Sequence, residues 1–87
     1  MTKVKFYSLF RERLGRRSIE VKGNCKLEKI FERVVEKTNK DRSLFFHGKK
    51  LKEDCIILLN GRSVTFKKDV YVKDSDEVSI LPILTGG

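Results

Sequence analysis

The chain has 87 residues, 39% of them hydrophobic and 37% charged, with one proline and six glycines. That length allows one domain around a single core and leaves none for a catalytic cleft between domains, and no repeat or low-complexity stretch interrupts it. A formal charge of +8 fits nucleic acid, an acidic partner surface or a solvated exterior; the cations scatter over residues 11–17, 49–52 and 62–68, which favours the solvated exterior unless these loops converge in space.

The first residues lack the apolar core and cleavage site of a signal peptide, and no apolar run approaches the ~18 residues of a spanning helix. A cytoplasmic protein that does not engage membranes is expected. Residues 3–10 alternate, with Val4, Phe6, Ser8 and Phe10 on one side and Lys3, Lys5, Tyr7 and Leu9 on the other, so they are predicted to form one strand. Residues 11–17 make a charged turn containing Gly15, after which Ile19-Glu20-Val21 resumes the alternation. A hairpin is predicted to join the two strands.

Gly23 and Asn24 end that hairpin, and Asn24 or its neighbour is expected to cap the following helix. Leu27, Ile30, Phe31, Val34 and Val35 then fall on one apolar helical stripe, with Lys29, Glu32, Arg33 and Glu36 on the solvated side. Thr38-Asn39 stops the helix, since Asn tolerates the left-handed conformation. Residues 40–54 form a basic connection holding one apolar plug, Leu44-Phe45-Phe46, expected to cover one end of the core. His47 is the lone histidine; with no acid or nucleophile beside it in sequence, it is expected to be a loop residue and not a general base.

Cys55-Ile56-Ile57-Leu58-Leu59 is a continuous apolar run closed by Asn60-Gly61, which predicts a central strand covered on both faces and a tight turn. Cys25 and Cys55 lack a histidine cluster, so neither a disulfide scaffold nor a metal site is indicated, and both are expected to fill space. Val64, Phe66, Val70, Tyr71 and Val72 give short extended pieces, residues 73–76 a turn, and residues 77–81 a last strand with Val78 and Ile80 inward. Pro82, which has no N–H, is expected to end its ladder.

Strand, strand, helix, strand, short pieces and strand make an α+β order with one main helix across one face of a mixed sheet, the ubiquitin-like β-grasp arrangement. Residues 1–81 are assigned to that domain and 82–87 to a flexible, reactive tail. If the first and last strands are neighbours, Tyr7 and Leu9 lie beside Leu81 on the face away from the helix, joined by Ile57 and Leu59 or else by Ile56 and Leu58. An apolar patch then sits at the root of the tail, as partner surfaces do, unless loop 40–54 folds over it. The tail ends in Gly86-Gly87. Two residues without Cβ can extend through a narrow channel and bring a terminal carboxylate close to a reacting group.

Three segments in order resemble one family. Val4 to Glu12 with Gly15, Leu59 to Arg62 with Val64, and Asp74 to Val78 through Pro82 to Gly86-Gly87 are similar to the first strand, the central turn and the closing strand and tail of the small, sulfur-carrying subunit of molybdopterin synthase and related prokaryotic ubiquitin-like sulfur carriers. Ser75, the single proline Pro82 before Ile83, and Leu81 in place of an aromatic depart from the family pattern. The resemblance implies that an activating enzyme adenylates the Gly87 carboxylate with ATP and magnesium, and that a persulfide sulfur displaces AMP to leave a thiocarboxylate. It implies no bound cofactor and no catalytic groups of the chain's own. The large subunit of molybdopterin synthase would take the sulfur, with Ile83, Leu84, Thr85 and Gly86 extended in its channel and Pro82, Leu81, Tyr7 and Leu9 anchoring the domain. Other expectations are sulfur supply to tRNA or thiazole synthesis and conjugation of the tail to lysines. Direct RNA binding is disfavoured, because Phe6, Phe10, Phe31 and Phe66 sit at core-patterned positions and not among the arginines.

Overall fold

In a computed structural model, which describes residues 1–65 and 67–83, the opening alternation forms β1, Thr2–Phe6, with Thr2, Val4 and Phe6 buried. The strand stops there. Ser8 takes a positive φ of 53° and the chain winds into α1, Leu9–Leu14, which closes on Gly15 at φ 69° with the Gly15 N–H donating to the Arg11 carbonyl. Residues 7–10 therefore do not prolong the strand, and the expected charged turn is a short helix. The competing period explains it: Phe10 and Leu14, four apart, are both 5% exposed on one helical face, while Leu9 is left 43% exposed. Strand β2, Ser18–Val21, then pairs antiparallel with β1, Val4 opposite Ile19.

After β3, Cys25–Lys26, helix α2 spans Leu27–Thr38 and buries Leu27, Ile30, Phe31 and Val34, with Val35 packed at the margin. No side chain caps its start. Asn24 instead turns at φ 57°, and its Oδ1 accepts from the Asp74 N–H at 3.1 Å, tying this loop to the turn before the last strand. The same two loops press together at Gly23. A Cβ there would overlap Thr2 Oγ1 and lie 2.7 Å from Asp74 Cα. At the other end Asn39 adopts φ 55° and donates its N–H to Val35, the left-handed stop that the sequence indicates.

The basic connection contains a 3₁₀ turn, Arg42–Leu44, and a small hairpin of β4, Phe46–His47, and β5, Lys50–Leu51. The Asp41 carboxylate caps the 3₁₀ turn by accepting from Ser43 N–H, and that bond holds its pKa below the usual value. Phe45 is the plug: fully buried, its ring centroid lies 5.1 Å from Phe31, 5.8 Å from Phe10 and 6.4 Å from Phe6. It joins the helix, the first strand and α1 in one aromatic cluster.

Strand β6, Cys55–Leu59, turns through Asn60 and Gly61, at φ 50° and 84°, into β7, Arg62–Ser63. Short β8, Tyr71–Val72, pairs with β3, and β9, Glu77–Pro82, closes the described fold. Among the described residues the main sheet runs β2-β1-β9-β6-β7, with β1 and β9 parallel and the other pairs antiparallel. The apolar run is thus an interior strand, between β9 and β7, as expected, but it is not covered on both faces. In β6 only Cys55 and Ile57 are buried, facing α2, while Ile56 and Leu58 are half-buried on the other face.

Pro82 does not end its ladder. It lies in β9 opposite Cys55, and the next residue, Ile83, donates its N–H to the Asp54 carbonyl at 3.3 Å. Successive N–H groups alternate in direction along a strand, so with Ile83 bonded toward β6 the nitrogen of Pro82 points to the β1 side. Strand β1 has already ended there, at Phe6. A missing donor at this position leaves no partner orphaned.

Removing the aromatic plug tests the packing account. Phe45→Ala is expected to cost about 3–5 kcal/mol, as buried Phe truncations do, and a urea titration should show the midpoint falling by at least about 1 M at the usual m-values. A loss below about 1 kcal/mol, typical of surface positions, would contradict the placement of this ring.

Candidate functional site

The features that could serve a reactive terminus gather where β9 leaves the sheet. Leu81 and Pro82 are held against Ile56 and Cys55 of β6, Tyr7 donates its N–H to the Ile80 carbonyl at 3.1 Å, and Ile83 is bonded to Asp54. These bonds fix the direction in which the chain departs. Leu84, Thr85, Gly86 and Gly87 lie outside the described residues, as does Phe66.

A shallow depression of about 310 Å³ lies on the sheet face away from α2, lined by Tyr7, Ser8, Leu58, Ser79, Leu81 and Pro82. Of the two parities open in the sequence, the pair Ile56 and Leu58 faces this side; Ile57 is 3% exposed in the core and Leu59 packs against it. The opposite end of the same face is polar. Lys5 and Glu77 pair at 3.1 Å across the parallel strands, and the Lys5 pKa is raised, first by its hydrogen bond to Glu77 and then by that carboxylate's charge. Along β9 the face changes from Glu77 through Ser79 to Leu81, so its apolar part is the part nearest the tail. Loop 40–54 does not line this depression; its plug, Phe45, sits on the helix side.

Leu9 is not beside Tyr7. Because α1 begins at Leu9, the chain turns away after Tyr7, and Leu9 lines a second, larger depression of about 640 Å³ on the other flank of the root. Phe10, Arg13, Lys40, Lys52, Asp54 and Ile83 also contribute there. Pro82 lines both depressions. The expected anchors therefore divide, with Tyr7 and Leu81 on one flank and Leu9 and Ile83 on the other, and the strand end between them. Sequence pattern alone did not single out Leu58 from its neighbours, nor bring Arg13, Lys40 and Lys52 to this place, since helix α1 and two separate loops carry them.

Other chemistry-bearing groups lie elsewhere. Cys55 is 1% exposed, and burial, helped by the charge of Asp54, pushes its thiol up to about 11. At neutral pH it is a protonated, inert thiol. Cys25 is half-buried, with Arg33 Nη1 3.2 Å from its Sγ. His47 is exposed on β4, and among the described residues no three His, Cys, Asp or Glu side chains gather as metal ligands would. Phe6, Phe10 and Phe31 are core residues. No helix among the described residues is long and apolar enough to cross a membrane.

Residues 4–87 match the model of the ThiS family. No curated protein sequence is similar enough to match. Among solved structures, the chain is similar to a chain of the BexX/CysO complex from Amycolatopsis orientalis, with 26% identity over 100% of both chains and a TM-score of 0.84. It is similar to small archaeal modifier protein 1 from Methanosarcina acetivorans, with 27% identity over 99% of this chain and 95% of that one and a TM-score of 0.81. The putative molybdopterin converting factor subunit 1 from Pyrococcus furiosus is 28% identical over 93% of this chain and 94% of its own, with a TM-score of 0.66.

The two thiols should behave differently toward an alkylating reagent. At pH 8 the folded chain is expected to take one adduct, at Cys25, with a second at Cys55 only after denaturation. Peptide mapping that found Cys55 modified as fast as Cys25 would contradict its burial in β6.

Proposed function

The chain belongs to the ThiS family of ubiquitin-like sulfur carriers, and on that premise we propose that the Gly87 carboxylate is the group it carries into reaction. A carboxylate is a poor electrophile. An activating enzyme, using ATP and magnesium held in its own site, joins it to AMP and releases pyrophosphate. The terminal sulfur of a persulfide then attacks the carbonyl carbon and expels AMP, and a thiol reduces the resulting acyl disulfide to the thiocarboxylate. That anion is a better nucleophile than the carboxylate it replaces, for the reason that a thiolate is the reactive form of cysteine.

In this reading the chain supplies a handle and a docking surface, and its partners supply the catalytic groups. The observation that carries it is positional: the family match continues to Gly87, and the last described residues before that end, Leu81 to Ile83, leave the sheet between two depressions. Tyr7, Leu58 and Leu81 offer apolar contact on one flank and Leu9 with Ile83 on the other. Leu84, Thr85 and Gly86 would thread the partner's channel. Residues 82–87 would act as the arm of the domain, although its first residues, Pro82 and Ile83, are still bonded to the sheet's second strand from the edge.

For the acceptor we propose a pterin precursor held by the large subunit of molybdopterin synthase. The three family-like segments support this, as does the likeness to the Pyrococcus furiosus protein named as a putative molybdopterin converting factor subunit. A second reading, attachment of the tail to lysines of other proteins, is favoured by the likeness to the archaeal modifier. The two differ in product: a sulfur transferred with the chain released unchanged, or an isopeptide bond to Gly87.

The chain, an activating enzyme, ATP, magnesium and a sulfur donor would be incubated together and the intact mass read. One sulfur replacing one oxygen at the terminus is expected, with no change in a chain lacking Gly87. An unchanged mass for the full chain, or full activity of the truncated one, would sink the carrier reading.

A further inference from the structure

Cations scattered in the sequence meet in the fold. Arg13 from α1, Lys40 from the turn after α2 and Lys52 from the segment after β5 all line the larger depression at the tail root. Some other surface cations are occupied, Lys5 by Glu77, Lys26 by Asp69, Lys29 and Arg42 by Glu32, while Arg33 and Lys37 hold the carbonyls of Lys22, Gly23 and Glu20; others, such as Lys22 and Lys73, form no ion pair among the described residues, so what sets the root apart is that its cations share one depression. Among the described residues Arg13, Lys40 and Lys52 form no ion pair. Of the two acids beside them, Asp41 is engaged in capping its 3₁₀ turn.

Resting on the carrier reading above, we propose that this depression is the seat of an acidic projection, apolar at its tip, on the enzyme that activates the tail. Its lining carries three cations, Arg13, Lys40 and Lys52, against the carboxylates of Asp41 and Asp54, and its floor is carbon, from Leu9, Phe10, Leu44, Pro82 and Ile83; that net positive balance over an apolar floor matches a carboxylate-bearing protein loop carrying one apolar side chain. A single phosphate does not suit it: at about 640 Å³ the space is far larger than one ion, and Arg13 and Lys40 are exposed where a built anion site would hold buried donors. Single-stranded RNA does not suit it either, because the aromatic residue in the lining, Phe10, is 5% exposed and presents no stacking face.

The mechanical consequence concerns orientation. One apolar contact on the Tyr7 and Leu81 flank would let the domain pivot about its tail; a second, charged contact on the opposite flank removes that freedom and sets which way the terminal carbonyl faces. Exposed charge pairs act chiefly on encounter rate and orientation, and are screened by salt.

The test uses the full chain and an activating enzyme that adenylates it, followed by ATP–pyrophosphate exchange. Arg13→Glu, Lys40→Glu and Lys52→Glu combined are expected to raise KM for the carrier about tenfold or more at low salt with kcat nearly unchanged, and to flatten the salt dependence of kcat/KM. Lys3→Glu, Lys22→Glu and Lys73→Glu change net charge equally at the other end of the sheet, beside Thr2 and Gly23, and are expected to change KM less than about threefold. Circular dichroism confirms that both variants fold. Equal effects of the two triple variants would overturn the proposal in favour of a net-charge effect, and unchanged KM in the first would overturn it outright. A first variant that loses affinity for RNA while keeping its KM would assign the collar to nucleic acid instead. Failure of the unaltered chain to be adenylated would count against the carrier reading itself, a different result from any of these.

Discussion

Everything at the functional end depends on the parallel pairing of β1 with β9. Val4 lies opposite Val78 and Phe6 opposite Ile80, and the last bond of the ladder runs from the Tyr7 N–H to the Ile80 carbonyl. Because the pairing is parallel, the two strands finish at the same edge of the molecule. The chain leaving β1 therefore folds beside the chain leaving β9, and Tyr7, Leu9 and Arg13 end up around the root of the C-terminal segment. An antiparallel pairing would have put that root beside Thr2, at the polar end of the sheet, where Gly23 and the Asp74 turn crowd together.

A second constraint is the shortage of covering elements. The long helix α2 and the plug Phe45 bury one face of the sheet, where Val4, Phe6, Val78 and Ile80 reach zero or near-zero exposure. The other face is left partly open, and where a fully polar strand would have been cheap to solvate, this chain places Leu58 and Leu81 near the tail and a Lys5–Glu77 pair far from it. Apolar surface left in water at one end of a face, with charges at the other, is a gradient toward the tail. It suits a partner that must find the terminus and hold it.

Much of this was legible in the residues. The stripe from Leu27 to Val34 is long enough for its period to exclude a strand, Asn60-Gly61 marks its turn by the positive φ both residues adopt, and three segments carried the family likeness. Helix α1 was not legible, because Tyr7 to Phe10 continue the alternation of β1 and the helix of six residues offers one pair, Phe10 and Leu14, to betray its period. The run Cys55 to Leu59 hid its parity for a related reason: five apolar residues in succession carry no alternation, so which of them face α2 is decided by the register with β9. Pro82 misled by its missing donor, whose direction only the ladder reveals. Asn24 misled by type, since its amide serves the Asp74 loop and not the helix. The charges were legible singly and not together; segments distant in sequence, helix α1 and two loops, place Arg13, Lys40 and Lys52 in one depression.

We propose that the tail root, flanked by an apolar and a basic depression, is the surface that partners grip. Titrating the activating enzyme into the isotopically labelled chain and following backbone amides by NMR tests it directly. The largest perturbations are expected at Tyr7, Leu58 and Leu81 on one flank and at Arg13, Lys52 and Ile83 on the other, with Glu36 and Lys37 on the outer face of α2 unaffected. Perturbations centred on α2 or on the free edge of β2, with the tail root silent, would contradict it.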